Sequence, residues 1–301
     1  MSSFYLTLSP YISMEAQLPS ELNLVLIGRT GNGKSATGNS ILGNKRLHSK
    51  RCARSVTETS ERRSGTLPDG RAVNVIDTPG LFDPELPENY IAEEIVRCIE
   101  LAKEGLHAVH LVLSITHRFT PEEFAAAEGL KRLFGPDIVD YTIVLFTGGD
   151  ANHDDEENLD LDNYIRHEAP QGLKDLVRAC HGRKVLFDNK TKDQERKTRQ
   201  VSLLLGLVDQ VLASNGGRPF TNELFEEAME RARKRSQREK LSIVPGLDRN
   251  ELIRLKEEME RSYQEQHRTM LSMVMSHIRV LSSCMHVLSI LFCNLRVPIF
   301  C

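Results

Sequence analysis

The stretch Gly28-Arg29-Thr30-Gly31-Asn32-Gly33-Lys34-Ser35 constrains this chain more than any other feature. It is a complete Gly-x-x-x-x-Gly-Lys-Ser pattern that follows the apolar run Leu22–Ile27 and precedes a helical pattern over Ala36–Leu42. A strand, a glycine-rich turn and a helix in that order make a phosphate cradle. The glycines let backbone N–H groups converge on an anion at a helix N-terminus, where the dipole favours negative charge. In such a loop, Gly28 to Ala36 wrap the phosphates, Lys34 bridges the β- and γ-phosphates, and the Ser35 hydroxyl ligates Mg2+. The bland alternative, a chance glycine-rich turn, does not account for the strand, the helix and the Lys-Ser pair together.

Apolar runs recur at 72–76, 108–113, 141–146 and 185–187, separated by helical patterns such as 90–104 and 120–134. This alternation predicts an α/β fold: a P-loop NTPase G domain with a mostly parallel central sheet flanked by helices. The turn Leu67-Pro-Asp-Gly70 predicts a hairpin that adds one antiparallel edge strand. Thr120-Pro-Glu-Glu123 supplies an N-cap, a first-turn proline and a capping-box glutamate.

A second motif, Asp77-Thr-Pro-Gly80, ends the run at 72–76, where a Walker B carboxylate belongs. Asp77 is the candidate Mg2+ residue, and the Gly80 N–H the candidate sensor of the γ-phosphate. Alone it is a turn signal, but at this distance from the cradle it points to a GTPase switch. The third is Phe146-Thr147-Gly-Gly-Asp150, after a predicted strand. Asp150 can accept two hydrogen bonds from N1–H and N2–H2 of guanine, a pattern that adenine does not offer. Usual GTPases place Lys where this chain has Gly148, which removes the stem that covers the base, and a plain post-strand turn remains the alternative.

These motifs resemble those of the immunity-associated GTPases, also called the GIMAP, IAN or avirulence-induced family. The resemblance covers about Leu22 to Phe225 and includes Gly105-Leu-His-Ala-Val109, Arg118-Phe-Thr-Pro-Glu-Glu123 and Leu186-Phe-Asp-Asn-Lys-Thr-Lys192. It implies a septin-like and Toc-like G domain with extra helices, GTP or GDP with Mg2+ as ligands, nucleotide-dependent homodimers or homo-oligomers through the nucleotide face, and frequent membrane association. It also implies that Asn189 lines the guanine pocket. Ser55-Val-Thr57 resembles the family's switch motif and makes Thr57 the residue that closes on Mg2+ and the γ-phosphate, with Thr59 and Ser60 as neighbouring alternatives.

The position after Asp77-Thr-Pro-Gly80 holds Leu81, where Ras-like switches carry the glutamine that orients water. Positioning and charge neutralisation carry most of phosphoryl-transfer catalysis, so slow intrinsic hydrolysis is expected, with Lys34, Thr57 and Gly80 as the remaining catalytic set. A nucleotide-binding module with negligible turnover is one alternative. An ATP-using P-loop enzyme is the other, against which Asp77-Thr-Pro-Gly80 and Asp150 both argue. Arg118 could act in trans, but a structural arginine near a helix start is the plainer reading. His48, His107, His110 and His117 have no metal-ligand spacing.

A net charge of -3 gives no global reason to expect a nucleic-acid partner. Six scattered cysteines without a Cys-x-x-Cys pair suggest a reduced compartment, hence a cytoplasmic expectation with peripheral contact to an intracellular membrane. The expected organisation is a leader over 1–20, the G domain over 21–217, a charged helical extension over 218–268 and an apolar tail over 269–301. Arg231 to Lys240 reads as a solvated basic face. Leu252, Leu255 and Met259 begin a heptad-like seam that Ser262 and Gln266 end, leaving at most a short helical contact. For the tail, a membrane-surface role ranks ahead of a helix packed on the G domain, although Arg279 sits awkwardly for a clean span.

Overall fold

Both faces of the central parallel strands of one six-stranded sheet are buried, as expected for parallel strands with helices on either side. The computed structural model describes residues 19–48, 57–81, 86–117, 119–149, 160–241 and 249–294, with side chains at 121, 122, 125, 235–241, 249–252 and 280–294 outside the description. Asp150, Arg118, Ser55, Val56, residues 1–18 of the leader and the last residues of the tail therefore lie outside the described residues.

In chain order the elements are β1 (Glu21–Ile27), α1 (Lys34–Leu42), β2 (Glu61–Thr66), β3 (Ala72–Asp77), α2 (Glu88–Ala102), β4 (Ala108–Ser114) and α3 (Pro121–Phe134). A 3-10 turn then leads to β5 (Thr142–Thr147), the short α4 (Leu161–Asn163), α5 (Gln171–Ala179), β6 (Lys184–Phe187), α6 (Gln194–Ser214), α7 (Glu223–Leu241) and α8 (Arg249–Asn294). The sheet order is β2-β3-β1-β4-β5-β6. β2 alone runs antiparallel, against β3, and the remaining neighbours are parallel. The expected hairpin and parallel core are thus both present.

Period-two alternation divides the sheet side chains between two cores. Val25, Ile27, Val109, Leu111, Val144 and Phe146 face α2, α3, α5, α7 and α8. Leu24, Leu26, Val73, Val75, Ile143 and Leu145 face α1 and α6. Because the five parallel strands point the same way, their carboxyl ends meet on one edge. The order reverses around β1, whose neighbours are β3 and β4, and ligands of open α/β sheets bind in the crevice at such a point.

The C-terminal part differs from expectation in two respects. First, α8 runs without a break through residue 268, so the expected boundary between charged extension and apolar tail falls inside one helix. Second, Met270, Val274 and Ile278, four residues apart and so on one helix face, are buried in the core with α2 and α3. Arg279 and His277 lie on the exposed side, which is how the tail tolerates them. Among the described residues no helix is long and apolar enough to cross a membrane.

Arg231, expected on a solvated face, is 2% exposed. Its guanidinium pairs with Glu100 on α2 at 2.5 Å and lies 4.4 Å from the ring centroid of Tyr263 on α8. Local i,i+4 charge spacing could not reveal this, because both partners are distant in sequence. Phe220, Leu224 and Phe225 join the same core, and Phe220 bridges Leu106, so the chain beyond Gly217 packs on the G domain directly.

Candidate nucleotide-binding site

The loop between β1 and α1 has its glycines where the backbone requires them. A Cβ on Gly28 would stand 2.3 Å from the Val112 carbonyl oxygen of β4, and Gly33 caps α1 in a left-handed conformation at φ +87. Arg29 and Gly31 are exposed, Thr30, Ser35 and Ala36 half-buried, and Asn32 and Lys34 buried. The Lys34 ammonium folds back over the loop, donating to the carbonyls of Gly28 at 2.9 Å and Arg29 at 3.0 Å. This places a buried cation at the mouth of the cradle.

Three oxygen-bearing side chains converge beside it. Ser35 Oγ donates to Asp77 Oδ2 at 2.5 Å, Thr57 Oγ1 reaches the same oxygen at 3.3 Å, and the two hydroxyls are 3.1 Å apart. Asp77 is fully buried, and its Oδ1 has no hydrogen-bond partner among the described residues. Burial raises the Asp77 carboxyl above its ordinary range, partly offset by the Ser35 hydrogen bond and the Lys34 charge. Two hydroxyls and a carboxylate with a buried, unspent oxygen are hard donors of the kind that hold Mg2+, so these residues fit that ion.

Thr57 takes this place rather than its neighbours. Thr59 is exposed, whereas Ser60 is buried against α2, where its N–H meets the Glu94 carboxylate and its carbonyl accepts from Arg97 Nε at 2.8 Å. Tyr90 donates to the Glu58 carbonyl. The end of the switch segment is therefore docked on α2, an anchorage that sequence reasoning did not anticipate.

Asp77 opens a turn in which Thr78 donates to the Leu26 carbonyl at 2.7 Å and Gly80 is buried. Leu81 is 2% exposed and belongs to the apolar core, so its side chain points away from the phosphate cradle.

Asn32 is held from three sides. Its side-chain amide donates to the Val112 carbonyl and to Glu123 Oε1, each at 3.0 Å, and its own carbonyl accepts from Thr147 Oγ1 at 2.8 Å. Glu123 meanwhile completes the expected capping box, accepting from the Thr120 N–H at 3.1 Å. The glutamate read from sequence as a cap thus also braces the phosphate loop. The presence of an amide within the loop was the available signal.

Thr147 and Asn189 lie beside Gly33, where an added Cβ would find them at 3.4 and 3.6 Å. The Asn189 side chain is engaged with α1, donating to Thr37 Oγ1 at 3.0 Å and accepting from Ser40 Oγ at 2.8 Å. This leaves Asn189 at the edge of the crevice with its loop fixed to α1. Among the described residues no cluster of three or more His, Cys, Asp or Glu side chains forms a metal group, so the site is mainly one of hydroxyl, backbone and lysine chemistry around one carboxylate.

A family model described as the AIG1 family matches residues 22–240. Immune-associated nucleotide-binding protein 9 of Arabidopsis thaliana is 44% identical over 257 residues, which cover 85% of this chain and 74% of that protein. Immune-associated nucleotide-binding protein 3 of the same organism is 41% identical over 261 residues, 87% of this chain and 78% of that protein. A crystal structure of a dimerization-deficient mutant of Toc33 from Arabidopsis thaliana has a TM-score of 0.50 at 17% identity, over 64% of this chain and 85% of that one. That likeness concerns the fold.

Proposed function

This chain belongs to the AIG1 family, and from that premise we propose that it is a guanine-nucleotide switch that binds GTP and GDP with Mg2+ and hydrolyses GTP slowly. The observation that carries the proposal is the convergence of Ser35, Thr57 and Asp77 beside the buried Lys34 at the carboxyl edge of the sheet. In it, Ser35, Thr57 and Asp77 hold Mg2+, whose charge neutralises phosphate oxygens when it is bound. The backbone of Gly28 to Ala36 and Lys34 cradle the phosphates. Gly80 senses the γ-phosphate, and Thr147, Asp150 and Asn189 form the guanine side of the pocket.

The burial of Leu81 supports slow intrinsic turnover, because no side chain at that position orients water. It equally favours a second reading, a nucleotide-binding interaction module with negligible hydrolysis. Single-turnover hydrolysis at saturating protein separates the two.

The relatives are named immune-associated, and the Toc33 neighbour is a dimerization-deficient mutant. We extend both to this chain as proposals: a role in defence, and pairing of two copies through the nucleotide face. We propose a cytoplasmic setting. Membrane contact is not assigned to the segment up to Ile278, whose apolar face is used on α2 and α3.

Displacement of a fluorescent GDP analogue tests the ligand class. Displacement by GTP and GDP at far lower concentration than by ATP is expected, and equal displacement by ATP contradicts the proposal.

A further inference from the structure

We propose that Arg196 is a positioning residue for guanine selectivity, tying together the two loops that read the base. The inference rests on the guanine-nucleotide reading above. In the usual motif a lysine follows Asn or Thr, whereas here Gly148 sits at φ +89 and an added Cβ would stand 2.6 Å from Thr116 Cγ2. A side chain at this position would be strained on the left-handed backbone, so no lysine stem supports the neighbouring Gly149.

Arg196 supplies that hold from α6. Asp193 caps the helix and accepts from the Arg196 N–H at 3.4 Å, which sets the residue in the first turn. Its Nη2 donates to the Gly149 carbonyl at 3.3 Å, and the Gly149 N–H donates to the Phe187 carbonyl at 3.3 Å. Both backbone groups of the residue before Asp150 are thereby fixed.

The other half of the guanidinium faces the second loop. Nη1 lies 3.5 Å from Asp188 Oδ2. Asp188 is 2% exposed, and its Oδ1 accepts from the backbone N–H groups of Lys190 at 2.9 Å and Thr191 at 2.8 Å, forming the turn that carries Asn189. Its Oδ2 is buried without a hydrogen bond among the described residues, so the Arg196 charge is its described counter-charge. A buried carboxylate deprived of that charge gains by moving toward water, and such movement loosens the Asn189 turn. One planar fork thus couples Gly149, the residue before Asp150, to the turn that carries Asn189, a geometry that suits arginine better than lysine.

The test uses the full chain and measures Kd for GDP, for ADP and for IDP, whose base lacks the 2-amino group, in Mg2+ for the unmodified protein, Arg196→Ala and Arg196→Lys. The Arg196 side chain is 37% exposed, so its removal opens no core cavity, and thermal midpoints serve as a folding control. Arg196→Ala is expected to lower the preference for GDP over IDP about ten-fold, with a thermal midpoint that falls but stays above the assay temperature. Arg196→Lys keeps the charge, loses the fork, and should fall between. A wild-type preference in Arg196→Ala, or equal losses for GDP and IDP, overturns the inference while leaving the guanine-nucleotide reading intact. An unmodified protein that binds guanine and adenine nucleotides alike removes that reading and the inference with it.

Discussion

Ser35 Oγ and Asp77 Oδ2 meet at 2.5 Å although 42 positions separate them. The contact joins the first turn of α1 to the end of β3, and it forms because β1 and β3 are adjacent parallel strands with their carboxyl ends on the same edge.

Lys34→Ala should abolish tight GTP binding while leaving the protein folded. Its ammonium is the buried cation of the cradle, donating to the carbonyls of Gly28 and Arg29. Isothermal titration with GTP and a thermal melt check this. Micromolar or tighter binding by a folded variant contradicts the assignment.

Met270→Ala should destabilise the protein by roughly 2 to 5 kcal/mol, the usual cost of removing a buried Met side chain. Denaturant unfolding of the variant is the measurement. An unchanged midpoint means that α8 does not share the core. By the same packing, truncation before Met270 should weaken the fold rather than remove an independent module.

Stability should fall as pH drops from about 6.5 to about 4. Burial pushes His107 and His110 from 6.5 down to about 4, so the unfolded chain takes up protons in that window while the folded chain does not. Their contribution is complete above pH 6.5 and lost as the pH falls, by up to roughly 3 kcal/mol for the fully buried His110. Thermal midpoints across this range, compared with His110→Leu, provide the check. A slope unaltered by that substitution assigns the acid sensitivity elsewhere.

GTP hydrolysis per molecule should rise with protein concentration if a second copy supplies what Leu81 lacks. Leu81 is sealed in the core and cannot orient water from there. Initial rates over a hundred-fold range of concentration decide it, and a constant specific rate refutes compensation by pairing.

The strand–loop–helix unit around Gly28 to Ser35 and the place of Asp77 at a strand end were legible in the sequence, because each demands particular residue types at short spacing. The sheet was legible because apolar runs bounded by turns leave little choice for a strand buried on both faces. Long-range braces were not. Nothing local marks Glu123 as the partner of Asn32, 91 positions away, or Arg231 as a buried cation rather than part of a charged face. The tail misled for a related reason. Apolar residues at 270, 274 and 278 serve a bilayer or a neighbouring helix equally well, and only the packed partners α2 and α3 distinguish them.

The most direct test of the Ser35–Thr57–Asp77 centre is the affinity for GTP with Mg2+ and with excess EDTA, in the unmodified protein and in Asp77→Ala. The unmodified protein should bind GTP at least ten-fold more tightly with Mg2+, and Asp77→Ala should lose most of that difference while staying folded, since a ligating carboxylate contributes on the order of 1 to 3 kcal/mol through its charged contacts. GTP affinity that is indifferent to Mg2+ in the unmodified protein would contradict the assignment of these three side chains as the metal-holding part of a guanine-nucleotide site.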